Sequence, residues 1–157
     1  KIANRINNDY QGKEIVLLGI LNGCIMFYSD LLKNIRVPCQ VQFIQLSSYL
    51  DTSSTDTIKE ITTSYYDFTN NLIIIVEDII DSGFTINFLV NRLRNSGPKS
   101  VAVATALFKK EVAKIDFEVD YVGFEIPPEF VVGYGLDYDE KYRQLKDVMV
   151  MDPEDIN

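Results

Sequence analysis

LIIIVEDIIDSGFT, residues 72–85, decides how the rest of this chain is read. Leu72 to Val76 is an unbroken apolar run, mostly β-branched. Such a run marks a strand buried on both faces, as in a parallel sheet covered by helices. It ends in two adjacent acids, Glu77 and Asp78, then Ile79 and Ile80, then Asp81-Ser82-Gly83-Phe84-Thr85. Beyond Thr85 the spacing of Ile86, Leu89, Val90 and Leu93 is helical. The stretch therefore reads as strand, acidic tip, short glycine-containing turn, helix. In open α/β sheets ligands bind beyond the carboxyl ends of the strands. Backbone N–H groups at a helix start, flanked by small Ser and Gly side chains, cradle an anion. Acids beside such a cradle make sense when the ligand also carries hydroxyls or a metal, and a sugar phosphate satisfies both halves. The plain alternative is a solvated acidic loop with Asp81 or Ser82 as the helix N-cap.

The same topology occurs earlier. Glu14 to Ile20 (EIVLLGI) reads as a strand, Leu21-Asn22-Gly23-Cys24 as a turn, and residues 25–34 as a helix. Alone, this is an ordinary βα turn. Residues 1–10 read as the end of a helix, with Gln11-Gly12 as its stop. After Pro38 a strand runs from Val41 to Leu46 and ends in Ser47-Ser48-Tyr49. Residues 50–60 are rich in Thr and Ser without apolar periodicity, which predicts a loop, and Ile61 to Phe68 a returning strand and turn. Gly97-Pro98 breaks the helix that follows the central strand. Val101 to Phe108 is a further buried strand, ending in Lys109-Lys110-Glu111. Lys109 there points towards the crevice of Glu77 and Asp78, although many strand-end lysines are simply solvated. Val119 to Gly123 and Val148 to Met151 complete the predicted strands.

The 157 residues suit one domain with a good core, and 46% hydrophobic content fits an ordinary globular protein. A net charge of −8 argues against nucleic-acid or membrane-surface binding, so a phosphate must be held by local amides, a metal and a few basic side chains. The chain has no histidine, which excludes a histidine triad, and its two cysteines, Cys24 and Cys39, show no metal-ligand spacing. No apolar run approaches the ~20 residues of a membrane span, and no signal peptide is visible. The chain opens in mid-helix, which suggests that residues precede Lys1, and the expected compartment is the cytoplasm. The predicted class is α/β, a parallel central sheet flanked by helices.

VEDIIDSGFT resembles the phosphoribosyl-pyrophosphate (PRPP) motif of the type I phosphoribosyltransferases, in their hypoxanthine-guanine branch. A second stretch, GFEIPPEFVVGYGLDYDEKYRQL at residues 123–145, resembles the purine-recognising hood of the same branch. The resemblance implies one domain over 1–157, with a core of about 11–123 and a hood of about 1–10 and 124–157. A mobile lid is implied over about 48–62, with Ser48-Tyr49 matching a Ser-Tyr pair. It implies transfer of the 5-phosphoribosyl group from PRPP to hypoxanthine or guanine, giving IMP or GMP and pyrophosphate, with Mg²⁺.

Asp81 is then the general base near the purine N7. Glu77 and Asp78 hold the ribose hydroxyls, directly or through Mg²⁺, with Asp137 near the metal. The amides of Ser82, Gly83, Phe84 and Thr85 hold the 5-phosphate. Lys109, whose ammonium only donates, selects a 6-oxo group over an amino group. Phe130 stacks on the base and the Val131 backbone reads its edge. Asn22 and Gly23 hold pyrophosphate, and Arg143 pairs with it as it leaves. A homodimer or homotetramer is implied as well. Two departures stand out: Asn22 replaces the family's usual lysine, and Pro128-Glu129 replaces the usual Asp-Lys.

Two other classes share some of these features. A PRPP-binding regulator on the same fold needs a nucleic-acid surface, which this acidic chain does not offer. A receiver-like signalling domain also joins an acid pair to a strand-end lysine. There the acid pair ends the first strand, whereas here it ends a middle strand and is followed by a glycine turn and Thr85.

Overall fold

The computed structural model describes residues 1–49, 57–60 and 66–155. After α1 (Ile2–Asp9), the chain enters β1 (Ile15–Leu21), α2 (Ile25–Leu32), β2 (Cys39–Tyr49) and β3 (Thr57–Glu60). It continues through β4 (Leu72–Ile80), α3 (Phe84–Arg94), β5 (Ser100–Phe108) and β6 (Tyr121–Glu125). Two short strands, β7 (Val131–Val132) and β8 (Met149–Val150), form a separate antiparallel pair. The main sheet has the order β3-β2-β1-β4-β5-β6. Five of its strands are parallel, and β3 alone runs antiparallel, on β2. The chain winds outward from β1 to β2, returns to place β4 on the other side of β1, and winds outward again to β6. The order therefore reverses between β1 and β4, and a crevice at that switch point is where such sheets hold ligands.

The apolar run of β4 is buried on both faces, as its composition predicts. Ile73 and Ile75 pack with Ile86, Leu89, Val90 and Leu93 of α3. Ile74 and Val76 face the opposite side, with Phe27 and Leu31 of α2 and Ile6 of α1. All four of these β4 side chains are 0% exposed. Each such burial is worth roughly 1.5–3 kcal/mol, an upper figure because unfolded chains already bury some apolar surface. Ala3 and Ile6 thus place the first helix in the core cluster.

Three elements differ from the sequence reading. First, β4 does not end at its acids but continues through Glu77 and Asp78 to Ile80, because β5 runs alongside it as far as Phe108 and keeps the ladder available. Second, β2 is longer than predicted and projects beyond its neighbours. Its free edge is paired by β3, from Leu46↔Glu60 to Tyr49↔Thr57, within a stretch whose polar composition predicts a loop. An unpaired strand edge invites pairing, and Thr57 and Ile58 are β-branched. Third, residues 66–70 form no strand but lead through a turn into β4, with Phe68 buried. The remainder of the expected lid and returning strand, residues 50–56 and 61–65, lies outside the described residues.

The C-terminal part beyond β6 is built from the β7–β8 pair and the single bridges Gly133↔Leu136 and Tyr138↔Lys141. Val131 and Leu136 seat it on Leu107 of β5. Among the described residues no helix is long and apolar enough to cross a membrane.

Candidate active site

A cavity of about 420 Å³ opens at the switch point, between the carboxyl ends of β1 and β4. Its wall gathers Asn22, Gly23, Glu77, Asp78, Asp81, Ser82, Gly83, Phe84, Thr85, Asp137 and Arg143 from three separate segments. Lys109, Phe130 and Val131 do not line it. Lys109 reaches it through Asp81, and the other two belong to the hood.

The turn from β4 into α3 is organised by glycine. Gly83 is the N-cap residue, in the left-handed region at φ +85°, and brings no side-chain acceptor to the helix start. The Ser82 hydroxyl accepts only a long 3.4 Å contact from the Phe84 amide. The first turn of an 11-residue helix is thus left with amides to offer. Together with the helix dipole they form an anion cradle.

The facing turn, from β1 into α2, is organised by contact. Its Leu21–Asn22 peptide is cis. A Cβ on Gly23 would overlap the Asp78 carboxylate, and a Cβ on Gly135 would overlap the Gly23 carbonyl oxygen. The turn is therefore packed between the acidic strand and the hood, with no room for a side chain at either glycine.

Glu77 is almost wholly buried, at 7% exposure, and sits against Asp78, whose backbone amide donates to Glu77 Oε1 at 3.2 Å. Burial, then the Asp78 charge, holds the Glu77 carboxyl well above the usual carboxylate range. The adjacent Cys24 thiol is likewise pushed up, by burial and then by the charges of Glu77 and Asp78, so it is not a nucleophile here. Two close carboxylates at a cavity wall are an environment short of positive charge. Among the described residues no three His, Cys, Asp or Glu side chains form a ligating cluster. Two acids without a full cage fit a cation such as Mg²⁺, which takes most of its oxygens from phosphates and water.

Asp137 stands apart from that pair. Its Oδ1 meets the Arg143 guanidinium at 3.1 Å, and its Oδ2 accepts the Glu140 amide at 2.9 Å. Arg143 also donates to the Gly135 carbonyl at 2.8 Å and contacts Glu140 at 3.3 Å. The hood is anchored to α2 by the Tyr134 hydroxyl, which donates to Asp30 at 2.6 Å. Burial and this bond to a carboxylate raise the tyrosine.

The Lys109 ammonium lies 2.6 Å from Asp81 Oδ2. Its side chain is 6% exposed against 56% for Asp81, so a buried cation is presented to the cavity through an accessible carboxylate. The Lys109 amide donates to the Ile80 carbonyl at 2.9 Å, which fixes the strand-end lysine beside the acid. Phe130, 39% exposed, meets Tyr138 edge-on at 5.8 Å between ring centroids. Val131 is buried against Leu107, two residues before Lys109.

Comparison with known proteins shows the family. A family model described as phosphoribosyl transferase domain matches residues 1–139. A hypoxanthine-guanine phosphoribosyltransferase of Mycobacterium tuberculosis is 39% identical over 98% of this chain and 79% of its own length. One from Staphylococcus aureus is 39% identical over 98% of this chain and 87% of its own. This chain belongs to the phosphoribosyltransferase family. Solved members superpose closely. A hypoxanthine phosphoribosyltransferase from Staphylococcus aureus has a TM-score of 0.93 at 37% identity, covering 99% of this chain and 85% of that one. A Trypanosoma cruzi hypoxanthine phosphoribosyltransferase in complex with the product IMP has a TM-score of 0.90 at 37% identity, covering 98% and 87%.

Some wall residues of this phosphoribosyltransferase were not singled out in the sequence. Gln45 and Leu46 lie in β2 where it passes the end of β1, Ile79 and Ile80 continue β4, and Glu140 rises from the hood. Ile79 and Ile80 carry only their apolar character as a signal, because the continuation of β4 past its acids depends on the ladder with β5. Glu140 carries none, because its partner Arg143 is fixed only by the folded turn.

Proposed function

We propose that this chain transfers the 5-phosphoribosyl group of PRPP to hypoxanthine or guanine, giving IMP or GMP and pyrophosphate. The observation that carries this reading is the Asp81–Lys109 pair at 2.6 Å, set beside the anion cradle of α3 and the acid pair of β4. A 6-oxopurine offers a carbonyl and an adjacent ring N–H. An ammonium beside a carboxylate offers the complementary donor and acceptor.

In the reaction a bond forms between the purine nitrogen and ribose C1, and the bond from C1 to the pyrophosphate oxygen breaks. Asp81 takes the proton that the purine loses, or stabilises the charge that develops. The transition state is cationic at the ribose, as in glycosyl transfer. Amides of residues 82–85 hold the 5-phosphate, and Asn22 and Gly23 hold pyrophosphate. Arg143, positioned by Asp137 and Glu140, neutralises that leaving group. Phe130 supplies the stacking face and the Val131 backbone reads the base edge. Glu77 and Asp78 hold the ribose hydroxyls or Mg²⁺, with Asp137 facing the same cavity from the hood. Mg²⁺ bound there would neutralise charge on the diphosphate.

The test is direct. Hypoxanthine, PRPP and Mg²⁺ with the purified protein are expected to yield IMP and pyrophosphate in equal amounts. Absence of both products, with PRPP still bound, would support a ligand sensor instead.

A further inference from the structure

We propose that Asn87 is a positioning residue that ties the connection after β5, residues 109–116, to the 5-phosphate turn and so sets the shape of the cradle. This rests on the phosphoribosyl-transfer reading above.

Asn87 lies one turn into α3, with its own amide bonded to the Gly83 carbonyl at 3.0 Å. Its side chain does not serve the helix. Nδ2 donates to the Lys114 carbonyl at 2.7 Å, and Oδ1 accepts the Asp116 amide in a longer contact of 3.4 Å. Asn is a poorer helix former than Ala or Leu, so the residue type at this position suits the loop rather than the helix. Lys114 is held at its other end as well, because its amide donates to the Ser82 carbonyl at 2.8 Å. Next to it, Ile115 covers Gly83 so closely that a Cβ there would overlap Ile115 Cγ2.

The same connection begins at Lys109, whose amide is bonded to Ile80 and whose carbonyl accepts the Val112 and Ala113 amides at 3.1 Å each. One short segment is thus fastened to Ile80, Ser82 and Asn87, on both sides of Asp81. Residues that orient the purine and amides that orient the phosphate share one support. Amides bind an anion well only when their direction is fixed beforehand. The bond from Asn87 is the fastening nearest the helix, and the one that a side-chain substitution can remove without touching the cavity wall.

The experiment compares wild type, Asn87→Ala and Asn87→Asp by calorimetric titration with IMP and, separately, with pyrophosphate, together with steady-state kinetics and thermal melts. Loss of one net hydrogen bond predicts IMP binding and the PRPP KM weakened about three- to tenfold in Asn87→Ala. The pyrophosphate Kd should stay within about twofold of wild type, because that ligand belongs to the facing turn, and kcat should change less than KM. Asp keeps the acceptor but cannot donate to the Lys114 carbonyl, so Asn87→Asp should be impaired at least as much. It also carries the test should the alanine variant fail to fold. An unchanged IMP Kd in both variants overturns the proposal even if the melting temperature falls. Equal weakening of IMP and pyrophosphate overturns it too, since that marks a general disturbance. A wild type that binds pyrophosphate and PRPP but not IMP instead overturns the functional reading on which the proposal rests.

Discussion

Asn22–Cys24 joins β1 to α2, and Asp81–Gly83 joins β4 to α3. Both turns contain a glycine, both follow a buried parallel strand, and both open on one cavity. They are held in place by different physics. The first is fixed by close contact: Gly23 fits under the Asp78 carboxylate on one side and under Gly135 on the other. The second is also covered closely, by Ile115 on Gly83, but adds polar bonds to a distant segment, with Asp81 on the Lys109 ammonium and the Ser82 carbonyl on the Lys114 amide. One turn should therefore be intolerant of added bulk yet lenient about side-chain chemistry at Asn22. The other should be sensitive to any change of charge or hydrogen bonding.

The sharpest way to separate them is chemical. Asp81→Asn keeps the shape of the second turn and removes its proton acceptor. General-base contributions run to ~10²–10⁴-fold, so kcat should fall by about that much while the PRPP KM changes far less. A kcat within a few-fold of wild type would remove Asp81 from the role of base. Steric disruption of the first turn comes next. Gly23→Ala drives a methyl group into the Asp78 carboxylate, and misplacement of about 1 Å at a site costs roughly 10²-fold. That loss should appear in kcat/KM for PRPP, and near-normal activity would mean that the turn can open without displacing Asp78.

A third variant asks what the acid pair costs the unliganded fold. The folded protein holds the Glu77 proton more tightly than the unfolded chain does, because burial and Asp78 raise its pKa. Stability should then decline as pH rises from the ordinary value of 4.5 through the raised folded value. Glu77→Gln removes that decline. At neutral pH it should raise the melting temperature, while PRPP binding weakens. An unchanged pH profile of Tm in the variant would show that Glu77 is not the group responsible. The smallest effect belongs to Asn22→Lys, which adds a charge to the contact-built turn. A charge-assisted bond is about twice as strong as a neutral one. Pyrophosphate and PRPP should therefore bind modestly more tightly and with more salt dependence, and the purine KM should not move. Unchanged pyrophosphate affinity at low ionic strength would mean that the side chain at 22 points away from the ligand.

The contrast also explains which parts of the molecule were legible in the sequence. β4 and α3 could be read because double-sided burial and helical periodicity are local properties of Leu72–Val76 and of Ile86, Leu89, Val90 and Leu93. The acid pair and the glycine turn could be read for the same reason. β3 could not, because its polar residues are ordered by pairing with β2 rather than by their own pattern. The proximity of Lys109 to Asp81 follows from two parallel strands ending together, so it emerges only once β4 and β5 are known to be neighbours. Asn87 and Tyr134 gave no signal. Their partners lie 27 and 104 residues away, and hydrogen bonds at such separations leave no periodicity behind.

We infer that the buried Lys109 ammonium, paired with Asp81, makes this a site for 6-oxopurines. The most direct test is the kcat/KM of the wild-type protein for hypoxanthine against adenine at saturating PRPP and Mg²⁺. Adenine leaves Lys109 facing another donor, and a site built for one hydrogen-bonding pattern rejects its mismatch by ~10⁴-fold or more. IMP should form from hypoxanthine, with adenine turnover near background. Comparable turnover of the two bases would contradict it.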